Sequence, residues 1–163
     1  MILFVITAMM LVFTLVNLLF LRPLTAPVPA PPTAICIPLR NEERNVPKLI
    51  TSLEAALTDE CHVYLYEDRS DDGTYEALIR AIADDARFTI FRGVPLPDGW
   101  AGKVHACHQL ATRTTEPYIL FLDADVTIDP TFIGRLHGTL EREGAVFLSG
   151  FPVSRHRPGS ESC

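Results

Sequence analysis

The stretch Tyr118-Ile119-Leu120-Phe121-Leu122-Asp123-Ala124-Asp125 decides how the chain is read. Its five consecutive apolar residues have the length and composition of a strand covered on both faces, and the run ends at two carboxylates one residue apart. Strands covered on both faces belong to parallel sheets, whose connections are helical, so helical patterns should flank this one. They do. Val104, Cys107, Leu110 and Ala111 precede it at helical spacing, and Phe132, Ile133, Leu136 and Leu140 follow it. Asp129-Pro130 suits the start of the second helix, because Asp can accept from free amides and Pro fits a first turn.

The same alternation continues outward. Ala34 to Leu39 reads as a strand and Val46, Leu49, Ile50, Leu53 and Leu57 as the face of a helix. His62 to Tyr66 is a second strand, Tyr75, Leu78, Ile79 and Ile82 a second helical face, and Phe88 to Phe91 a third strand. Ala145 to Ser149 closes the series as a strand. Repeated strand and helix units specify an α/β fold, a Rossmann-like parallel sheet with helices on both faces. In such sheets ligands bind beyond the carboxyl ends of the strands. Three polar clusters fall there: Arg40-Asn41-Glu42-Glu43, Glu67-Asp68-Arg69-Ser70-Asp71-Asp72-Gly73-Thr74, and Asp123-Ala124-Asp125.

Asp123 and Asp125 would repel each other at a strand end unless a cation lay between them or other groups bonded them. Hard oxygen ligands with open positions suit Mg²⁺ or Mn²⁺ held jointly with a substrate diphosphate. The plain alternative is that one Asp merely shapes the turn towards Asp129. Asp68 to Gly73 imitates a calcium loop, but its twelfth position is Ile79 rather than Glu, which excludes that reading. A simple Asp and Gly turn would also account for the composition, whereas the functional reading has its first acidic residues accept from a nucleotide's imide or ribose. Gly99-Trp100-Ala101-Gly102-Lys103 delivers a Lys to a helix start, where anions are favoured. His105 and His108 lie three apart, but without a third ligand they read as surface or pocket-wall residues rather than a zinc site.

The chain has 163 residues, with 14 Lys plus Arg against 20 Asp plus Glu and a net charge of −6. That balance argues against nucleic acid as a partner. Four scattered cysteines, Cys36, Cys61, Cys107 and Cys163, form no C-x-x-C pair and read as reduced thiols. Residues 1–21 carry no charge, and at 1.5 Å per residue a helix over them would span roughly 30 Å, the thickness of a bilayer core. They read as a single-pass membrane anchor, since no basic segment precedes them and the sequence after them makes a poor cleavage site. Arg22, Arg40, Arg44 and Lys48 then place the remainder on the cytoplasmic side. Residues 22–32 hold Pro23, Pro27, Pro29, Pro31 and Pro32, which suits a stiff spacer. Residues 33–151 form the domain, and 152–163 read as an irregular tail.

The ordered motifs Ile37-Pro38-Leu39-Arg40-Asn41-Glu42-Glu43, Glu67 to Thr74 and Leu122 to Asp125 resemble the family 2 glycosyltransferases of GT-A fold. Gly99 to Lys103 is similar to the G-W-x-G-K stretch of membrane-anchored members associated with hopanoid and carotenoid glycosylation. The resemblance implies a metal-dependent, inverting transferase that uses a nucleotide-diphosphate sugar, with UDP favoured, and a lipid or membrane-proximal acceptor. It implies donor contacts from Pro38, Arg40, Asn41, Glu42, Glu67, Asp68, Ser70, Lys103 and Asp123. Among these, Asp68 would meet the base and Asp123 the ribose, while Asp123 and Asp125 would hold Mg²⁺ or Mn²⁺. Glu67 stands where the family usually has Asp, and Leu110 where a small Gly is common.

The chain ends 38 residues after Asp125, short of where such enzymes place the acceptor-side base. The sequence therefore reads as a donor-binding half, truncated at its C-terminus, with the catalytic base unassigned. Two rival readings accompany it. One is a membrane-tethered module that binds nucleotide without transferring anything. The other is a haloacid-dehalogenase-like phosphatase, which Ile119 to Thr127 resembles, with Asp123 as nucleophile; no Lys follows Lys103 to complete it.

Overall fold

The computed structural model describes residues 1–20 and 23–150. Its elements run α1 (Ile2–Phe20), β1 (Thr33–Leu39), α2 (Val46–Ala56), β2 (Cys61–Glu67), α3 (Thr74–Ile82), β3 (Phe88–Arg92), α4 (Gly102–Ala111), β4 (Tyr118–Phe121) and α5 (Phe132–Glu143). The four strands form one sheet in the order β3-β2-β1-β4, and every pairing is parallel. The chain thus builds outward from β1 to β3 and returns to the other side of β1 for β4. Right-handed crossovers put helices made in opposite directions on opposite faces. Accordingly α2 and α3 enclose one core with Ile35, Ile37, Val63 and Leu65, and α4 covers the other face with Ala106 and Leu110 against Ala34, Cys36 and Tyr66.

Several helices turn a different face inward from the one their apolar residues suggest. In α3 the buried residues are Thr74, Ala77, Leu78 and Ile82, while Ile79 is exposed and Tyr75 lies under the Arg92 guanidinium, 4.1 Å from its ring centroid. In α4 they are His105, Ala106 and Leu110, and Val104 faces solvent. Hydrophobicity alone did not decide either case, because close contact with the sheet favours small residues such as Ala77 and Ala106 at the crossing. The expected strand Tyr118 to Leu122 is shorter and lies at the sheet edge, leaving Tyr118, Ile119 and Phe121 at 43%, 43% and 46% exposure. No strand forms over 145–149 among the described residues; Val146 and Phe147 stand in solvent. An apolar run without a hydrogen-bonded neighbour does not make a strand on its own.

The proline-rich segment lies along α5. Thr25 donates its N–H to Thr139 Oγ1 (3.0 Å), and Val28 donates to the Gly134 carbonyl (3.1 Å). Arg135 donates to the carbonyls of Leu24 and Thr25, both at 3.2 Å. The approach requires glycine: a Cβ on Gly134 would sit 2.6 Å from the Val28 oxygen, and one on Gly138 2.5 Å from the Ala26 oxygen. This strap explains why α5 buries His137, Gly138 and Thr139 while Leu136 and Leu140 are only half-buried. His137 also bonds Thr33 Oγ1 at 2.9 Å and meets Tyr118 edge-on, seating α5 across the starts of β1 and β4.

The described side chains of α1 are apolar apart from Thr7, Thr14 and Asn17, and they are exposed. Thr7 and Thr14 return their hydroxyls to helix carbonyls one turn back, at 2.9 and 2.8 Å. Among the described residues no helix is long and apolar enough to cross a membrane. The expected anchor includes Leu21, and the charge argument uses Arg22; both lie outside the described residues, as do Cys163 and the tail 152–163.

Candidate functional site

The strand order reverses direction between β1 and β4, so a crevice opens there at their carboxyl ends. The loops that follow β1 and β2 are locked to one another beside it. Asn41 takes a left-handed backbone (φ +56°) that turns its backbone N–H and its side-chain Oδ1 to the facing turn. Its N–H donates to Ser70 Oγ (3.0 Å), and its Oδ1 accepts from the Asp71 N–H (2.8 Å). Glu42 N–H donates to Thr74 Oγ1 (2.8 Å) and Glu43 N–H to Asp72 Oδ2 (3.3 Å). Arg69, with φ +55°, makes the matching reversal on the other loop. Two non-glycine residues in this region store strain of order 1–3 kcal/mol each, which the cross-loop bonds offset. The hydrogen bond from Thr74 holds Asp72 below the usual carboxylate range.

Glu67 is buried at the base of this clamp. Its Oε1 accepts from the Ser70 N–H at 2.5 Å, while Oε2 is buried without a hydrogen bond, 3.7 Å from Arg92 Nε. The longer arm of Glu in place of Asp folds back to brace its own turn. β3 closes against the same turn through Gly93, whose N–H donates to the Glu67 carbonyl at 2.7 Å. The Val94 N–H then donates to the hydroxyl of buried Tyr66 at 3.2 Å, fixing the start of the loop that leads to Gly102.

A cavity of about 330 Å³ opens between these elements. Pro38, Leu39, Arg40 and Glu42 line it from the end of β1, Asp68 from the end of β2, and Asp123, Ala124 and Asp125 from the end of β4. Gly102, Lys103 and Ala106 complete it from α4. Of the residues singled out in sequence, Pro38, Arg40, Glu42, Asp68, Lys103, Asp123 and Asp125 therefore meet in one cavity. Asn41, Ser70 and Glu67 do not line it; they hold its walls. Leu39 and Ala124 lie inside the motifs read from the sequence but carry no reactive group and were given no role, and Ala106 and the braces Tyr66 and Gly93 were not singled out. His105 and His108 point elsewhere, packing against Trp100 at 5.4 and 5.1 Å between ring centroids.

Lys103 Nζ lies 2.6 Å from Asp123 Oδ1, and this bond raises the Lys103 pKa above its ordinary value. Buried Leu122 and Ala124 pin the segment from the core side and leave Asp123 and Asp125 exposed. Among the described residues no group of three or more His, Cys, Asp or Glu is placed to enclose a metal. Two hard carboxylates with open positions nonetheless fit a divalent cation of the kind that takes one or two protein carboxylates and completes its shell with phosphate oxygens and water. In this structure the Lys103 ammonium is the cation held at Asp123 Oδ1.

The glycosyl transferase family 2 profile matches residues 34–160. The chain belongs to this family. Among curated relatives it is 34% identical over 99 residues to 4,4′-diaponeurosporenoate glycosyltransferase of Staphylococcus haemolyticus, covering 59% of this chain and 24% of that protein. The Staphylococcus aureus (strain bovine RF122 / ET3-1) protein of the same name is 36% identical over 100 residues, with 57% and 24% covered. The chain thus spans about a quarter of the length of these relatives. Among solved structures, the mannosyltransferase PcManGT from Pyrobaculum calidifontis, in complex with GDP-Man and Mn²⁺, superposes with a TM-score of 0.63 at 19% identity. That match covers 80% of this chain and 39% of the other. TarS of S. aureus gives 0.57 at 18% identity, covering 75% and 38%. These likenesses establish the fold, and the family match over 34–160 displaces the phosphatase reading of Ile119 to Thr127.

Proposed function

We propose that this chain forms the donor-binding half of a glycosyltransferase that takes a nucleotide-diphosphate sugar, with UDP favoured, and passes the sugar to a lipid or membrane-proximal acceptor. One observation carries the reading: groups from three strand ends and one helix start line a single cavity at the switch point, with cations and carboxylates in it together. In the transfer, an acceptor oxygen bonds to the sugar C1 as the bond from C1 to the diphosphate breaks, and the acceptor proton leaves to a base. Arg40 and Lys103 are the cations that face the developing diphosphate charge, and Asp68 is the carboxylate facing the nucleoside. Asp123 and Asp125 would hold Mg²⁺ or Mn²⁺, which when bound neutralises charge on the leaving nucleotide. Glu42 completes the wall at the β1 end and is itself held by Asn45, whose Nδ2 donates to Oε2 at 2.6 Å.

The acceptor class is supported by the names of the carotenoid-related relatives and by the uncharged run of residues 1–21, which the sequence pattern reads as a single-pass anchor. Arg40, Arg44 and Lys48 support a cytoplasmic placement of the domain.

Calorimetric titration of the full chain in detergent with UDP, with and without Mn²⁺, tests the donor site. Mn²⁺ should tighten UDP binding, and Asp125→Asn should remove at least about tenfold of that enhancement, since even outer-shell losses at metal sites cost 10–100-fold. Absence of UDP binding in both conditions would refute the reading.

A further inference from the structure

We infer that Lys103 is a resident counter-ion that competes with a divalent cation for Asp123, so that metal and nucleotide diphosphate are coupled through the movement of one ammonium group. The inference rests on the donor-site reading above and adds to it a reason why the two ligands should promote one another.

The starting observation is the pair itself. Lys103 Nζ is 2.6 Å from Asp123 Oδ1, with the two side chains 66% and 56% exposed. Packing does not impose this contact. Lys103 is 66% exposed on a flexible four-carbon stem, and its ammonium takes the Asp123 carboxylate with the charge of Asp125 nearby. A divalent cation held through Asp123 Oδ1 would compete with the ammonium hydrogen-bonded to that oxygen, both by volume and by charge. Metal entering alone at that oxygen must displace Lys103 to water.

A diphosphate changes that balance. Gly102, Lys103 and Ala106 line the cavity together, so the stem is rooted on the wall where the anion would lie. Phosphate oxygens offer Lys103 a partner of greater charge than Asp123, and its departure leaves the carboxylate open to the metal. Binding free energies are reciprocal, so the metal must tighten the diphosphate by the same factor as the diphosphate tightens the metal. Part of that factor is the exchange at Lys103. Exposed ion pairs contribute up to about 1 kcal/mol, equivalent to about fivefold in affinity.

Two measurements on the full chain in detergent test this. Mn²⁺ binding without nucleotide is followed by the loss of the free-ion electron paramagnetic resonance signal. Lys103→Gln should bind Mn²⁺ about two- to fivefold more tightly than the parent, and the factor by which UDP tightens Mn²⁺ should shrink correspondingly. The second readout is direct, because Lys48 and Lys103 are the only lysines of the sequence. After reductive ¹³C-methylation, which keeps the charge, Mg²⁺ without nucleotide should shift the Lys103 methyl signal and leave that of Lys48 in place, with Lys103→Arg providing the assignment. If the parent binds both UDP and Mn²⁺ but Lys103→Gln binds Mn²⁺ no more tightly, or the Lys103 signal ignores Mg²⁺, the exchange is refuted and the donor site stands. If the parent binds neither ligand, the donor-site reading fails and takes the exchange with it.

Discussion

Gly93→Ala should damage the donor site although Gly93 itself does not line it. A Cβ at position 93 would lie 2.9 Å from the Asp68 Cα, 2.9 Å from the Glu67 carbonyl oxygen and 3.0 Å from Asp68 Oδ1. Ordinary contact begins near 3.5 Å, so the end of β3 and the acidic turn must separate by about 0.6 Å. Two of the three obstructing atoms are backbone, so no side-chain rotation relieves the clash. The separation also stretches the 2.7 Å bond from Gly93 N–H to the Glu67 carbonyl. Overpacking of this kind costs about 1–3 kcal/mol. A domain of this size loses about 3–5 °C in Tm per kcal/mol, which gives a fall of roughly 3–15 °C by differential scanning fluorimetry. Asp68 moves with its turn, so UDP affinity should fall by at least about tenfold, the equivalent of 1.4 kcal/mol. Val94→Ala, at a neighbouring side chain exposed to solvent, is the control and should change neither quantity. A Gly93→Ala protein with Tm within a degree of the parent refutes the packing argument. One with lowered Tm but unchanged UDP affinity refutes the placement of Asp68 at the nucleotide.

Two further outcomes concern the strap and its helix. Gly138→Val places side-chain carbon where the Ala26 carbonyl and Thr25 hydroxyl lie, 2.5 and 2.9 Å from an ideal Cβ; limited proteolysis should then cut within 24–30 at protease levels that leave the parent intact. Burial pushes His137 below its ordinary pKa, so the unfolded chain takes up a proton that the folded one resists. Stability from this group is present above about pH 6.5 and is lost as pH falls below it, and His137→Gln should flatten the decline of the urea midpoint between pH 7 and 5.

The fold was legible because strand and helix periods differ and the segments alternate cleanly; all four strands of the sheet carry the apolar runs read for them. Which helix face turns inward was less legible. Val104 and Ile79 match a helical stripe as well as any buried residue, but sheet contact selects by shape, and Ala77 and Ala106 fit where larger side chains would hold the layers apart. Buried His137 and Thr139 were missed for another reason. Their cover is the strap, and nothing local in residues 132–143 announces a segment more than a hundred residues earlier in the chain. The site divides in the same way. Arg40, Asp68, Lys103, Asp123 and Asp125 were legible because strand ends converge by topology. The division of labour between them and Asn41, Ser70 and Glu67 was not, since the same polar residue types serve for clasping a loop and for facing a ligand.

The strap also alters what the N-terminal helix can do for the domain. Ten free proline-rich residues in extended form would reach about 31 Å, enough to let a domain roam above its anchor. Docking instead begins at Leu24, four residues beyond the end of α1, and those four residues span at most about 14 Å. The docked helix is no loose appendage: Ile133 enters the main core and His137 bonds the first residue of β1. With α1 seated in a bilayer as proposed, the sheet would therefore stand at a set height and tilt above the lipid, and the cavity at its carboxyl edge with it. An acceptor held in the lipid would then have to bring its reacting oxygen within reach of a domain kept near the membrane, so under that proposal the depth of that oxygen would bear on acceptor choice as well as its chemistry.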